Sequence, residues 1–274
     1  MSVSFGYSSK VSVSAADQAG FLDFAGRTAK AAGAITLPYF RADVEIENKL
    51  VNGGFDPVTE ADKKAEAVIR EAIRREFPAH GIYGEEFGHE SGNGLTWVID
   101  PIDGTRAFMS GMLHWGVLLG LFDGETPIVG AMYQPYTDEL FIGDGEEAAL
   151  IRGSTRRKLL TSSCNNLSNS VLATTAFDWF SASEQVQFDR LRDESKMCRL
   201  GGDCYIYAAL AMGYIDLGTD ADLNAYDIQA LIPIIRGAGG VVTTYDGGNP
   251  SMGGAVLASA NPALHKLALE QLNR

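Results

Sequence analysis

The sequence predicts an α+β protein assembled from two unlike halves, and three observations lead there. Residues 17 to 77 carry apolar side chains at helical spacing in two segments. From Trp97 to about residue 152, short apolar runs alternate with tight turns, the mark of an antiparallel meander. Beyond residue 155, strand-like and helix-like segments alternate, as in α/β units. The texture changes where Arg156, Arg157 and Lys158 precede the polar run SSCNNLSNS, so the halves are read as residues 1–155 and 156–274.

Taken in order, the first helix places Phe21, Phe24, Ala25, Thr28, Ala32, Ile35 and Tyr39 close to helical spacing, and Pro38 marks its end. A polar, glycine-containing stretch, ENKLVNGGFDP, separates it from a second helix. There Thr59 is read as the N-cap and Asp62 as its capping-box partner. Ala61, Ala65, Val68, Ile69, Ala72, Ile73 and Phe77 line one face of that helix, and Pro78 stops it. Ile82 and Tyr83 form a short strand ending in Gly84-Glu85-Glu86. WVIDPIDGT (97–105) begins as a strand, with Pro101 ending its ladder and Asp103 returning across a turn. WGVLLGLF (115–122), PIVGAMYQ (127–134), ELFIG and AALIRG supply the meander. In the second half VLATTAF is a strand, and SEQVQFDRLRDE and CYIYAALAMG are helices. YIDLGT is a strand, YDIQALIPIIRGAG one helix, and GVVTT and AVLASA strands. Asn261-Pro262 supply the cap and first turn of the last helix.

With 274 residues, 46% of them hydrophobic, the chain can bury a sizeable core. A net charge of −13 argues against a nucleic-acid partner. No apolar run approaches the roughly 20 residues that span a bilayer. The first residues show no basic segment followed by an apolar core, so neither a membrane association nor a signal peptide is expected. Cys164, Cys198 and Cys204 are odd in number and form no C-x-x-C pair, which fits a reducing compartment, the cytoplasm. His80, His89, His114 and His265 match no H-x-x-x-H pattern.

The stretch WVIDPIDGTRAF (97–108) raises the chemical question, because an apolar strand runs into two carboxylates, Asp100 and Asp103. Turn chemistry alone accounts for an Asp-Gly pair. Two carboxylates on one tight turn nevertheless repel unless a cation lies between them, and oxygen-only ligands without Cys or His point to Mg²⁺ rather than Zn²⁺. Gly104 lets a ligand approach the backbone, and Thr105 and Arg106 open a helix start that favours an anion. A cation site beside an anion site suits a metal-bridged phosphate. Two more acids strengthen this reading: Glu85 at a strand end and Asp227 in the first turn of an apolar helix. Taken singly, Glu85 reads as surface loop and Asp227 as a cap.

DPVTEAD (56–62), GEE (84–86), WVIDPIDGT (97–105) and YDIQALIPIIRGAGG (226–240) stand in the order and spacing that resemble the inositol monophosphatase superfamily of Mg²⁺-dependent, lithium-sensitive phosphatases. The resemblance runs from about residue 17 to the C-terminus. It implies a layered α-β-α-β-α sandwich of the inositol monophosphatase/fructose-1,6-bisphosphatase type. It also implies two to three Mg²⁺ ions per site, with Mn²⁺ a possible substitute, and a homodimer. Glu85, Asp100 and the carbonyl of Ile102 are then expected to hold the first ion, and Asp100, Asp103 and Asp227 the second, with a weaker third ion near Glu85. Thr105, oriented by Asp56, resembles the pair that helps activate an attacking water, and the N–H groups of Gly104 and Thr105 would hold phosphate oxygens. No Ser-His or Cys-His pair offers a protein nucleophile, so water attacks directly.

The implied substrate is a small phosphate ester. Where inositol phosphatases continue D-G-T with Thr-Asn-Phe, this chain reads Arg106-Ala107-Phe108, and Tyr226 stands where they carry Trp. GTRAFMSG, MYQP, GGDCY and YDIQALIP look more like the histidinol-phosphate phosphatase branch, whereas FIGDG (141–145) departs from it. Inositol-1-monophosphatase, 3′(2′),5′-bisphosphate nucleotidase and a non-catalytic metal- or phosphate-binding regulator are the alternatives. Histidinol phosphate carries an amine and an imidazole, so its pocket needs carboxylates. Asp203, after Gly201-Gly202, and Asp220, seven residues before Asp227, are the candidates. Asp203 can equally cap a helix, and the competing reading of Asp220 is that it begins a turn. Arg106 is expected to contact phosphate or to form a structural ion pair.

Overall fold

The computed structural model describes residues 10–42 and 60–274. Helix α1 (Ala15–Thr36) is capped by Ser14, whose hydroxyl accepts the Asp17 N–H at 3.1 Å, and a single 3₁₀ turn at Pro38 closes it. Helix α2 (Glu60–Glu76) follows; its expected cap, Thr59, lies outside the described residues.

The first sheet contains β1 (Gly81–Gly84), β2 (Gly88–Glu90), β3 (Thr96–Asp103), β4 (Gly116–Phe122), β5 (Pro127–Gln134), β6 (Glu139–Gly143), β7 (Ala148–Arg152) and β8 (Thr155–Lys158). The short helix α3 (Thr105–Met109) interrupts it after β3. Strand order is β2-β1-β3-β4-β5-β6-β7-β8, with β1 and β3 parallel and every other pair antiparallel. The chain then forms β9 (Val171–Thr174), α4 (Ala182–Glu194), β10 (Met197–Leu200), α5 (Asp203–Ala211), β11 (Leu217–Leu223), α6 (Ala225–Ile228), α7 (Leu231–Gly237), β12 (Val241–Thr244), β13 (Gly254–Ser259) and α8 (Pro262–Leu272). The second sheet has the order β10-β9-β11-β13-β12.

Side-chain alternation along the strands builds the layers. Val117, Leu119 and Leu121 of β4 join Phe24, Ala25, Ile69 and Ile73 of α1 and α2 in one core. Leu118, on the opposite face, joins Leu210 of α5 and Ile232 and Ile235 of α7 in a second. Ala173, Val256 and Ala258 of the second sheet face that same middle core. Leu172 and Leu257 face away, toward Phe188 and Leu191 of α4 and Leu264, Ala268 and Leu272 of α8. The result is the expected α-β-α-β-α sandwich. GVLLGLF reads as an unbroken apolar run because β4 is covered on both faces. Each of its buried Leu and Val side chains contributes about 1.5–3 kcal/mol.

Three local expectations need correction. Pro101 does not end the β3 ladder: it sits in an irregularity between Asp100 and Asp103, and pairing resumes at Asp103 opposite Gly116. A bulge tolerates the missing N–H of proline. The segment 226–239 is two helices, because Pro233 has no N–H to give the Gln229 carbonyl. Asp220 lies within β11 rather than in a turn. Strand β10 was not foreseen; it is short, largely exposed and without apolar alternation. Among the described residues all three cysteines are free, and no helix is long and apolar enough to cross a membrane.

Gly120, Gly130 and Gly143 are cross-strand neighbours on β4, β5 and β6. A Cβ on Gly130 would lie 1.9 Å from the Ala230 carbonyl oxygen, and one on Gly143 would lie 2.6 Å from the Ile234 Cα. The row forms a bare shelf on which the α6–α7 backbone rests, and α6 carries Asp227. Gly130→Ala is expected to lower unfolding free energy by about 1–3 kcal/mol, the usual cost of overpacking. Denaturant unfolding checks this, and a wild-type midpoint would show that the shelf tolerates a methyl group.

Candidate active site

The bend between β3 and α3 is held by its own side chains. Asp100 Oδ1 accepts the Ile102 N–H at 3.1 Å, and the Thr105 hydroxyl donates to the Ile102 carbonyl at 3.1 Å. Gly104 has φ +83°, and a Cβ there would meet the His114 carbonyl oxygen at 2.4 Å, so the position excludes other residues twice over. Asp103 Oδ2 accepts the Cys204 N–H of α5 at 2.7 Å. Asp227, on the first turn of α6, accepts the Asn224 N–H at 2.6 Å, so it caps its helix as well as facing the cluster. These contacts bring carboxylate oxygens of Asp100, Asp103 and Asp227 within 4.8 Å of one another. Glu85, one residue past β1, lies close enough for its charge to act on Asp100 and for that of Asp227 to act on it.

The electrostatics of the group are uniform. Burial, then the charges of Glu85 and Asp103, raise the Asp100 carboxyl well above the ordinary range. Burial followed by Asp227 does the same to Asp103. Desolvation inside the cleft, followed by Asp227 and Asp62, pushes Glu85 up to about 8. Burial pushes Asp227 up to about 6 against two hydrogen bonds from Asn224. No Lys or Arg among the described residues forms an ion pair with any of the four. An all-oxygen donor set of this crowding suits a hard divalent cation, and the Ile102 carbonyl keeps a lone pair beyond the one Thr105 uses. Asp62, read above only as a capping residue, is buried and adds its charge to Glu85 and Asp100. Its signal was an acid beside Ala61 and Ala65 on the apolar face of α2. Asp56, the expected partner of Thr105, lies outside the described residues.

A cleft of about 530 Å³ opens over the cluster. Its lining also includes Gly201, Gly202, Asp203, Asp220 and Asp222. Asp220 accepts three hydrogen bonds: from Thr174 Oγ1 at 3.0 Å, from the Thr175 N–H at 2.7 Å and from the Tyr207 hydroxyl at 2.9 Å. Asp203 begins α5 at φ +45°, directly against Gly104, and burial followed by Asp220 pushes its carboxyl up to about 7. The N-cap of α5 is Gly202, so Asp203 is not the cap. Arg106 lies on the rim, 3.5 Å from Asp178 and with its guanidinium 4.5 Å above the Trp179 ring. Asp178 and Trp179 had no signal in the sequence, since nothing local links them to residue 106.

The inositol monophosphatase family profile matches residues 17–274. The chain is 37% identical over 256 residues to a chloroplastic bifunctional phosphatase of Arabidopsis thaliana, covering 89% of this chain and 72% of that protein. It is 35% identical over 245 residues to a histidinol-phosphatase of Chlorobaculum parvum, covering 89% of this chain and 93% of that one. Among solved structures, an inositol monophosphatase from Zymomonas mobilis superposes with a TM-score of 0.84 at 34% identity, over 96% of this chain and 100% of that one.

The raised carboxyls have a consequence for pH. Folded values above the unfolded value near 4 mean that the fold binds these protons more tightly than the unfolded chain. Their stabilisation is fully present below about pH 4 and is lost as pH rises through about 6 at Asp227 and about 8 at Glu85. The ion-free protein is expected to lose thermal stability over that window. Millimolar Mg²⁺ is expected to restore it, with a larger increment at pH 8 than at pH 5.5; equal increments, or none, would contradict the cluster's assignment as a cation site. Asp100→Asn is expected to abolish phosphate release while leaving the ion-free protein at least as stable as wild type. The Asn oxygen still accepts the Ile102 N–H and one repelling charge is gone. A large loss of ion-free stability would instead make Asp100 a structural acceptor.

Proposed function

Because the chain belongs to the inositol monophosphatase family, we propose that this phosphatase hydrolyses a phosphate monoester with a cationic leaving group, L-histidinol phosphate above all. The observation that carries this reading is the charge of the cleft lining outside the four carboxylates of the cation cluster. Asp203, Asp220 and Asp222 line it, and the one Arg or Lys among the described lining residues, Arg106, is already engaged by Asp178 and Trp179. A second phosphate on the leaving group would meet those carboxylates, which disfavours bisphosphate nucleotides. An ammonium or imidazolium would meet a charge-assisted acceptor at Asp203. The likeness to a histidinol-phosphatase supports the same choice.

Within this reading Glu85, Asp100, the Ile102 carbonyl, Asp103 and Asp227 hold divalent cations, Mg²⁺ or Mn²⁺. Such paired ions, when bound, supply a water of lowered pKa and neutralise charge on the phosphoryl and leaving oxygens. The chain's own groups do the rest. The Gly104 and Thr105 N–H groups receive phosphate oxygens, Thr105 with Asp56 orients the attacking water, and Asp203 positions the amine or imidazole. Gly201 leaves open space beside Asp203 for that group, whereas a Cβ on Gly202 would meet Ile206.

A panel of L-histidinol phosphate, inositol 1-phosphate and adenosine 3′,5′-bisphosphate at millimolar Mg²⁺ tests the proposal. The highest kcat/KM is expected for L-histidinol phosphate. Preference for inositol 1-phosphate would replace the substrate, and no hydrolysis of any ester would favour a binding-only role. Asp203→Asn is expected to raise KM for L-histidinol phosphate about tenfold, as loss of a charge-assisted hydrogen bond does, with little change for inositol 1-phosphate. Equal effects on both would remove Asp203 from leaving-group recognition.

A further inference from the structure

Glu66 is fully buried on α2, with Arg70 one turn later and equally buried. The Arg70 Nε donates to Glu66 Oε1 at 2.7 Å. The same carboxylate accepts the Glu86 N–H at 2.8 Å and the Phe87 N–H at 3.3 Å. On the other side of the turn, a Cβ on Gly84 would fall 2.0 Å from Glu66 Oε1, so only a glycine admits the carboxylate there. Glu85 is therefore flanked on both sides by backbone that Glu66 touches, while its own N–H donates to the Ile99 carbonyl at 3.3 Å. Arg70 extends the clamp into β2, donating to the Gly88 carbonyl and to Glu90.

A buried ion pair is weak evidence for stability, since a well-packed apolar pair of the same volume is often as stable. An apolar pair cannot, however, accept two successive backbone N–H groups and thereby set the direction of the side chain that precedes them. We propose that Glu66, neutralised by Arg70, is a positioning residue that aims Glu85 into the carboxylate cluster. The proposal rests on the reading above that Glu85 holds a cation. Groups that orient a ligand in this way typically change metal affinity by about 10–100-fold when removed.

Titration calorimetry with Mg²⁺ alone, beside ion-free thermal unfolding, tests it. Glu66→Gln puts an amide NH₂ where one of the two N–H acceptors stood, and is expected to weaken Mg²⁺ binding about tenfold while kcat at saturating Mg²⁺ changes little. It also takes from Arg70 its buried carboxylate partner, leaving it only Glu90 and the Gly88 carbonyl, and lowers stability, so the double variant Glu66→Gln/Arg70→Met carries the decision. It is expected to recover ion-free stability relative to the single variant and still bind Mg²⁺ about tenfold more weakly than wild type. Wild-type affinity in the double variant, or its failure to fold, would make the pair merely structural and overturn the proposal. Glu85→Gln separates the two readings. If it leaves Mg²⁺ affinity unchanged, the cation role of Glu85 itself fails; if it weakens binding and the Glu66 double variant does not, only the positioning role fails.

Discussion

Asp100, Asp103 and Asp227 hold carboxylate oxygens within 4.8 Å of one another. Fully ionised, each such pair repels by about 3–4 kcal/mol at an effective dielectric of 20. Glu85 and the buried Asp62 add to the same field. A fold can keep such a group together only by fastening each member to rigid backbone and by leaving the charge to be neutralised by protons or cations. Both features are present. Asp103 is tied to α5 through Cys204 and Asp227 to its own helix start through Asn224, while the turn bearing Glu85 is tied to α2 through Glu66. The carboxyls rise in pKa because burial first, and for Glu85, Asp100 and Asp103 the neighbouring charges second, disfavour the ionised forms.

The five layers serve this concentration of charge. The middle helices are pressed between two sheets, so Asp227 cannot retreat from the end of β3; the glycine row on β4, β5 and β6 brings the α6–α7 backbone against the sheet. Asp103 and Cys204 join the bend after β3 to the start of α5, closing the cleft from below. The cleft lining then holds two groups of acids. One gathers acids too close to coexist without cations. The other comprises Asp203, Asp220 and Asp222, with Asp220 accepting from three donors and Asp203 turned against Gly104. The first group suits a divalent cation, and the second lines the rest of the cleft.

The sequence by itself determined the features recorded within a few residues of one another. The helical spacing of Phe24, Ala25 and Thr28, the apolar run of β4, the Asn261-Pro262 cap and the DPIDGT bend are local, because periodicity and turn chemistry depend on neighbours along the chain. The carboxylates were visible as acids in apolar settings, and the resemblance to a family placed them together. Tertiary packing alone decided the rest. Pro101 sits in a bulge because β4 pairs on both sides of it, and Arg106 leans on Trp179 because α3 and the segment before α4 meet at the rim. Asp220 faces three donors, one of them 46 residues away in Thr174. Asp103 finds the Cys204 N–H across 101 residues, and Glu66 finds the turn at Glu86 across 20. Hydrogen bonds of that kind leave no mark on local composition, since either partner alone is an ordinary polar group until the fold removes water from around both.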